Sequence, residues 1–441
     1  MRGRLAGWRA ALERPGVRKV AHNTFWLFAD RVVRLGVGLL VGVAVARYLG
    51  PDRFGQFNYV IAFVMLFATA INAGTDNVVI RDLAREPGRT DAILAAASVI
   101  RLVGVPVALA LAAVIAFAIH ARDATMLQLI AVYATTLLFR PLDVIDLWFQ
   151  SETNVRPAVW ARNLAFFVGS AVRVALIVGG ASLVAFVAVE PLMAALGALF
   201  LLVAYRFAGR QWTVAGVKGA DIRRLLVAGA PLLLSGVAIM IYMRIDQVML
   251  EHLSGGGTRE VGLYSAAQRL SEVWYFLPMA VANSVFPALV RSRDADQTIY
   301  LDRLRRLFSL MALVSLSVAI TTSVVSSQMI RLIFGSGYVG AGPILAVHIW
   351  TGVFVFWGVV GETWYLNEGL TRLTLYRTGS AALANVALNL VLIPRYGGIG
   401  AAVATLVSQA WSAWLSNLLW TRTRPLFFLQ MRSLSFRGLL G

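Results

Sequence analysis

Twelve apolar runs recur along this 441-residue chain: roughly 24–46, 56–80, 92–119, 124–149, 158–179, 182–207, 225–251, 261–290, 307–334, 341–366, 372–393 and 397–420. Each holds about 20 residues or more, enough for a helix to cross a hydrocarbon core of about 30 Å. Apolar residues make up 59% of the chain and charged ones only 14%, whereas soluble domains carry about a quarter charged. These features predict an all-α polytopic membrane protein of about twelve transmembrane helices. The first run is read as a retained span, because Asp30, Arg31 and Arg34 interrupt what would be a signal core and eleven more runs follow. The chain has no cysteine, which excludes disulfide and thiolate chemistry.

The formal charge of +18 suggests nucleic acid only until the basic residues are located. With the N-terminus in the cytoplasm, 26 of the 40 fall in predicted cytoplasmic segments, among them Arg81, Arg85, Arg89, Arg206, Arg210, Arg223, Arg224, Arg303 and Arg305. Six fall outside: Arg47, Arg53, Arg122, Arg259, Arg331 and Arg395. That asymmetry is the positive-inside pattern, so the charge reports topology and attraction to anionic lipid, with both termini cytoplasmic. Nucleic acid is not an expected partner.

Five segments follow from the pattern. Residues 1–22 form a cytoplasmic or interfacial segment, with arginines around Leu5, Trp8 and Leu12. Residues 23–207 hold six helices, 208–224 a cytoplasmic linker, 225–421 six more helices and 422–441 an interfacial tail. The halves echo one another. Residues 46–59, containing Leu49-Gly50 and Phe54-Gly55, resemble 250–267, containing Leu253-Ser254-Gly255 and Val261-Gly262. Six spans per half keep both copies in one orientation, as in parallel-repeat transporters that hold substrate between the halves and rock one against the other. The short predicted outer loops leave little room for a membrane glycosyltransferase or polymerase.

The other eight basic residues lie inside the runs: Arg31, Arg34, Arg101, Arg140, Arg162, Arg173, Arg244 and Arg269. A guanidinium at membrane depth costs a few kcal/mol, so it faces protein or a wet cavity. Arg101 and Arg162, nearer helix ends, are expected to snorkel. Asp30 and Arg34 share a helix face, whereas Arg31 points away from that couple. Arg140, Asp143 and Asp146 step along one ridge, which reads as an interfacial ion-pair cluster. Arg173 has no acid within four residues and needs a partner on another helix, a ligand or water. Arg244 and Asp246, with Arg269 and Glu272, suggest a network between spans seven and eight. The arginine fork stays charged when desolvated and matches phosphate geometry. Arg31, Arg34, Arg140, Arg173, Arg244 and Arg269 are therefore the candidate substrate residues, a ladder for a diphosphate, and Asp30, Asp246 and Glu272 the candidate ion-coupling acids.

Other signals are set aside. Gly255-Gly256-Gly257 lacks the Gly-Lys-Ser/Thr of a phosphate loop. His22, His120, His252 and His348 show no metal-ligand spacing, and Gly38 and Gly42 form a helix-packing step. No cofactor, catalytic residue or metal ligand is expected.

Three blocks carry a family resemblance: Asn23–Leu27 with Ala46–Tyr59, Arg244–Leu250 with Val261–Pro278, and Asn385–Thr405. The chain resembles the bacterial polysaccharide (O-unit, Wzx-type) flippases of the multidrug/oligosaccharidyl-lipid/polysaccharide exporter superfamily. The resemblance implies two six-helix lobes around a cationic central cavity, in the bacterial inner membrane. It implies alternating-access transport of a polyprenyl-diphosphate-linked oligosaccharide, such as an O-antigen or exopolysaccharide repeat unit, from inner to outer leaflet. An H⁺ or Na⁺ gradient would drive it, with the polysaccharide polymerase machinery as a further partner. A lipid II flippase, a multidrug/cation antiporter and a non-transporting scaffold in glycan assembly are the alternatives. The first typically has two more spans than this chain, and the second favours lone acids over arginines.

Overall fold

The computed structural model describes residues 15–152 and 155–435, and among these it is entirely helical. The first half contains α1 (Pro15–Ile71), α2 (Asp76–Arg85), α3 (Thr90–His120), α4 (Ala124–Ala134), α5 (Val144–Ser151), α6 (Arg156–Val178) and α7 (Leu183–Phe207). The second contains α8 (Gly219–Leu253), α9 (Gly257–Glu272), α10 (Phe276–Ala295), α11 (Gln297–Phe334), α12 (Ala341–His348), α13 (Thr351–Asn367), α14 (Thr371–Ala413) and α15 (Arg424–Ser433). Short 3₁₀ turns join α4 to α5 and α9 to α10. The interfacial helix expected near the N-terminus falls largely on residues 1–14, outside the described residues, while the tail does form α15.

Nine stretches are long and apolar enough to cross a membrane. Two of them, Val33–Arg85 and Leu373–Leu418, each contain two of the predicted runs. A straight helix with the 57 residues of α1 would be about 85 Å long, far beyond a bilayer. It breaks at Gly50, where φ is +72° and Pro51 follows. Before the break Tyr48 donates to the Ala181 carbonyl (2.9 Å), and after it Tyr59 meets His120 (2.7 Å) and Ile71 lies against Gly104. The second part of α1 therefore runs antiparallel to α3. Likewise α14 breaks at Gly397, φ +52°, and the Glu260 carboxylate accepts a 2.8 Å hydrogen bond from the Gly398 N–H there. The remaining predicted span, α9 with α10, carries Arg259, Glu260, Gln268, Arg269 and Glu272, too polar for a simple apolar span. The nine candidate spans, the two breaks and this polar pair together account for all twelve predicted runs.

The packing is that of a protein solvated by lipid. On α3 the small residues Ala108, Ala112 and Ala116, four apart, are buried, whereas Val103, Val107, Val114 and Phe117 are exposed. Small residues let helix backbones approach where lipid removes the hydrophobic drive to association. Span seven begins at Gly219, inside the stretch predicted as linker, and Pro231 lies within α8 rather than at its start.

Three apolar cores organise the molecule. One straddles both halves at the end carrying the Gly50 break, joining Phe54, Tyr59 and Val60 to Val261, Tyr264, Phe334 and Tyr338. At the opposite end the cores are separate. One belongs to the first half plus Leu225 of α8, and the other, around Leu304, Phe308, Trp357 and Tyr365, to the second half alone. Helix α8 bridges the difference by lying antiparallel to the second part of α1. Gly229 packs on Ala73 and Gly236 on Thr69, and His252 lies beside Tyr59. At its start Arg224 reaches Glu86 (2.9 Å) and Asp221 reaches Arg89 (2.5 Å).

Candidate functional site

Arg269 marks where the halves meet within the membrane. It projects from α9 towards α1 at Gly42, where a Cβ would lie only 2.0 Å from its Nη1. The glycine is therefore a seat for a guanidinium, a correction to the helix-packing reading of Gly38 and Gly42. Gly38 does serve packing, against the Phe166 ring. The Arg269 cation also lies 5.3 Å from the centre of the Phe54 ring, a favourable cation–π distance.

Four other charges act electrostatically on Arg269: Arg173, Glu190, Glu272 and Arg244. Tyr133 feels Glu190, Arg140, Arg244 and Arg173. Thus Arg140 and Arg173 of the first half share one electrostatic neighbourhood with Arg244 and Arg269 of the second. Three acids, Glu190, Glu272 and the Arg140 partner Asp143, accompany the four arginines. Arg173 and Glu190 form an ion pair at 2.5 Å between α6 and α7, which supplies the cross-helix partner that Arg173 lacks on its own helix. Glu190 went unselected in the sequence, although an acid inside the run 182–207 was the available signal. Arg244 and Arg269 make no hydrogen bond or ion pair among the described residues.

The other arginines fall differently. Arg34 donates to Asn163 Oδ1 (2.9 Å) and lies over the Phe166 ring, both on α6. The side chains of Asp30 and Arg31 lie outside the described residues, so their expected roles do too. Arg101 does not snorkel: it is 1% exposed and pairs with Asp76 at 2.7 Å, because α3 runs unbroken through Pro106 and keeps this position inside the bundle. Arg140 pairs with Asp143 (3.4 Å), as the ridge predicts, but Asp146 pairs with Arg162.

The expected four-member network between spans seven and eight forms only in part. Glu272 accepts from Gln268 (2.7 Å), which in turn accepts from Gln247 (2.6 Å). Asp246 turns away from the arginines, as its two-residue offset from Arg244 requires on a helix. It is 2% exposed. It accepts from the Tyr264 hydroxyl (2.8 Å), the Thr405 hydroxyl (2.5 Å) and Asn389 Nδ2 (2.5 Å). Asn389 also donates to Asn385 (3.2 Å), while Asn389 Oδ1 and Asn385 Nδ2 have no partner. Asp246 thus sits in an oxygen-rich pocket built by α8, α9 and both parts of α14. All four of these polar groups, Tyr264, Asn385, Asn389 and Thr405, were present in the resemblance blocks but carried no charge to single them out.

The histidines set aside as scattered are partly gathered by the fold. His120 and His252 converge with Glu251 and Tyr59 at the Gly50 end. A separate apolar cleft of about 1010 Å³ lies between α5, α6 and α7, lined by Trp148, Trp160, Phe200 and Phe207. None of the candidate arginines lines it.

Comparison with known proteins places this geometry. Residues 20–293 match the family model described as polysaccharide biosynthesis protein. A relative from Haloferax volcanii, described as probable flippase AglR, is 30% identical over 194 residues. The match covers 42% of this chain and 38% of that protein, so the chain aligns with well under half of the relative's length. Among solved structures, the lipid II flippase MurJ in an inward closed conformation superposes with a TM-score of 0.72 at 14% identity, covering 93% of this chain and 91% of that one. An inward-facing MATE-family multidrug resistance transporter superposes with a TM-score of 0.69 at 16% identity, covering 90% and 96%. These structural likenesses establish the fold. The chain belongs to the polysaccharide biosynthesis protein family, and it is an all-α, multi-pass membrane protein with the fold that MurJ and the MATE transporter share.

Proposed function

We propose that this protein is a transporter that carries a polyprenyl-diphosphate-linked oligosaccharide from the inner to the outer leaflet of a bacterial cytoplasmic membrane. The observation that carries the reading is the excess of arginine between the halves. Arg140, Arg173, Arg244 and Arg269 meet three acids there, Asp143, Glu190 and Glu272, and Arg244 and Arg269 make no hydrogen bond or ion pair among the described residues. A desolvated guanidinium without a carboxylate is costly to keep, and a diphosphate would repay it with bidentate, charge-assisted hydrogen bonds. Arg31 and Arg34 would meet the head group first, from the cytoplasmic side.

The arrangement of the cores supports alternating access between two lobes. The halves share one core at the Gly50 end and have separate cores at the end bearing Arg81, Arg89 and Arg303. The charge asymmetry makes the latter cytoplasmic, so this conformation would receive substrate from the inside. Asp246 is the coupling site in this reading. A carboxylate ringed by a phenol, a hydroxyl and two amides offers hard oxygen donors, and turning the Asn389 amide would add its unpartnered Oδ1. Glu272 and Asp30 are the remaining candidates for coupling.

The test is translocation of a lipid-linked oligosaccharide in proteoliposomes with imposed H⁺ or Na⁺ gradients. Gradient-dependent transfer is expected. Transfer no faster than in protein-free vesicles, under every gradient, rejects the reading in favour of a scaffold role.

A further inference from the structure

We propose that His120, His252 and Glu251 form a binding site for a divalent transition-metal ion, Zn²⁺ by the chemistry of its donors, that clamps α3 to α8 at the Gly50 end. Nothing in the transport reading requires this site, and it rests on the local geometry alone.

The fold brings the three groups together across the halves. His120 is the last residue of α3, and Glu251 and His252 lie in the last turn of α8. Their ligand atoms all fall within 4.8 Å of one another. The His252 Nε2 is 2.9 Å from Glu251 Oε2, and the His120 Nε2 is 3.9 Å from the same oxygen. Metal–ligand bonds of about 2.0–2.1 Å in a tetrahedron put the ligand atoms about 3.3 Å apart. The observed distances bracket that edge, so side-chain adjustments well under an ångström would complete the set.

Tyr59 of α1 closes the fourth side. Its hydroxyl lies 2.7 Å from His120 Nε2 and 3.1 Å from His252 Nε2. The two imidazoles thus aim the same ring nitrogen at one point, and Tyr59 occupies the position of a fourth ligand or of the group hydrogen-bonded to it. His120 is 6% exposed, and the buried Glu251 Oε2 faces the His252 Nε2 at 2.9 Å without the alignment of a hydrogen bond. An ion at the centre of the three groups would use that oxygen's lone pairs.

The donor set selects the metal. Two neutral imidazoles and a carboxylate suit Zn²⁺, whereas Mg²⁺ and Ca²⁺ prefer oxygen-only cages. Asp123, an anion, also acts on His120 and adds to the attraction for a cation. The consequence is conformational. An ion held by ligands from both halves binds only while α3 and α8 are together. By linkage, Zn²⁺ at a hundred times its dissociation constant raises the population of this closed end about a hundredfold relative to the open one.

The test uses the full chain in lipid nanodiscs, stripped of metal and titrated with Co²⁺ and then Zn²⁺. Wild type is expected to bind one Co²⁺ per chain with tetrahedral ligand-field absorption, displaced by Zn²⁺. His120→Gln, His252→Ala and Glu251→Gln should each weaken binding by more than about tenfold, while His22→Ala leaves it unchanged. Because the chain has no native cysteine, spin labels on Arg122→Cys and Ser254→Cys report the α3–α8 distance directly. Zn²⁺ should narrow that distribution towards its short component in the wild-type background and not with His252→Ala. Absence of saturable binding at one ion per chain overturns the proposal. So does binding that persists in both histidine variants, or a label distance indifferent to Zn²⁺. Since His252 is partly exposed, its replacement leaves the fold intact and keeps the test decisive.

Discussion

Gly55 of α1 and Gly262 of α9 face each other where the two halves cross. A Cβ on Gly55 would lie 1.7 Å from the Thr258 carbonyl oxygen and 2.9 Å from the Gly262 nitrogen. A Cβ on Gly262 would lie 2.0 Å from the Pro51 carbonyl oxygen and 3.2 Å from the Gly55 nitrogen. The pair occupies matching places in the sequence echo, Phe54-Gly55 against Val261-Gly262, so the repeated segment packs against its own counterpart. Around this contact Tyr338 donates to the Ala46 carbonyl (2.7 Å), Arg47 to the Ile333 carbonyl (2.7 Å) and Arg259 to Asp52 (3.1 Å).

Gly55→Ala or Gly262→Ala must therefore push two backbones apart. We expect each to destabilise the protein by about 1–3 kcal/mol or more, measured as a lower unfolding midpoint in detergent. Gly36→Ala, on the same helix as Gly55 with nothing within 4 Å, is the control and should cause no loss.

Gly42→Ala separates function from stability. The atom in the way is the tip of the flexible Arg269 side chain, which can move at small cost. The variant should retain a near-normal unfolding midpoint while oligosaccharide transfer falls several-fold. Normal transfer would show that Arg269 does not act from the seat at Gly42.

The Arg173–Glu190 pair divides a structural role from a substrate role. Arg173→Ala leaves a half-buried carboxylate uncompensated, at a cost of roughly 1–3 kcal/mol, and adding Glu190→Gln should recover most of it. If Arg173 also binds substrate, the double variant regains stability without regaining transfer. Recovery of both would make the pair purely structural.

Asp246→Asn preserves the shape of the pocket but removes its charge. Transfer should then lose its dependence on the imposed ion gradient, as should transfer by Thr405→Ala in part. An unchanged gradient response in Asp246→Asn would move coupling to Glu272 or Asp30.

Glu86, between spans, accepts from Arg224 and Arg89, and these hydrogen bonds, that from Arg224 foremost, hold its carboxyl below the usual carboxylate range. A group whose folded value is depressed contributes stability above its unfolded value, about 4.3 for Glu, and loses it as pH falls through the folded one. The difference in unfolding midpoint between wild type and Glu86→Gln should therefore be present at neutral pH and disappear well below pH 4. A constant difference across that window would contradict the assignment.

The sequence disclosed what depends on local pattern. Apolar run length showed the spans, and the internal echo marked the two segments that meet at Gly55 and Gly262, though not that they meet. Arg140 with Asp143 followed from helical spacing. What stayed hidden depends on which helices become neighbours. Glu190 as the partner of Arg173, Asp76 as that of Arg101, and the meeting of His120 with His252 each require contacts between separate helices. Gly42 belongs to the same group, since its purpose lies on α9. The pocket around Asp246 was invisible for another reason: its ring is neutral, and neutral polar residues in apolar runs are common enough to pass unnoticed.

The central claim is that the unpaired arginines between the halves bind the substrate's diphosphate. It is tested most directly by transfer of lipid-linked oligosaccharide in proteoliposomes bearing Arg244→Ala with Arg269→Ala, beside wild type, with folding verified by unfolding midpoint. Loss of more than about tenfold in rate, at least the loss expected for one charge-assisted contact, with folding intact, is the predicted result. Wild-type transfer by the folded double variant would contradict it.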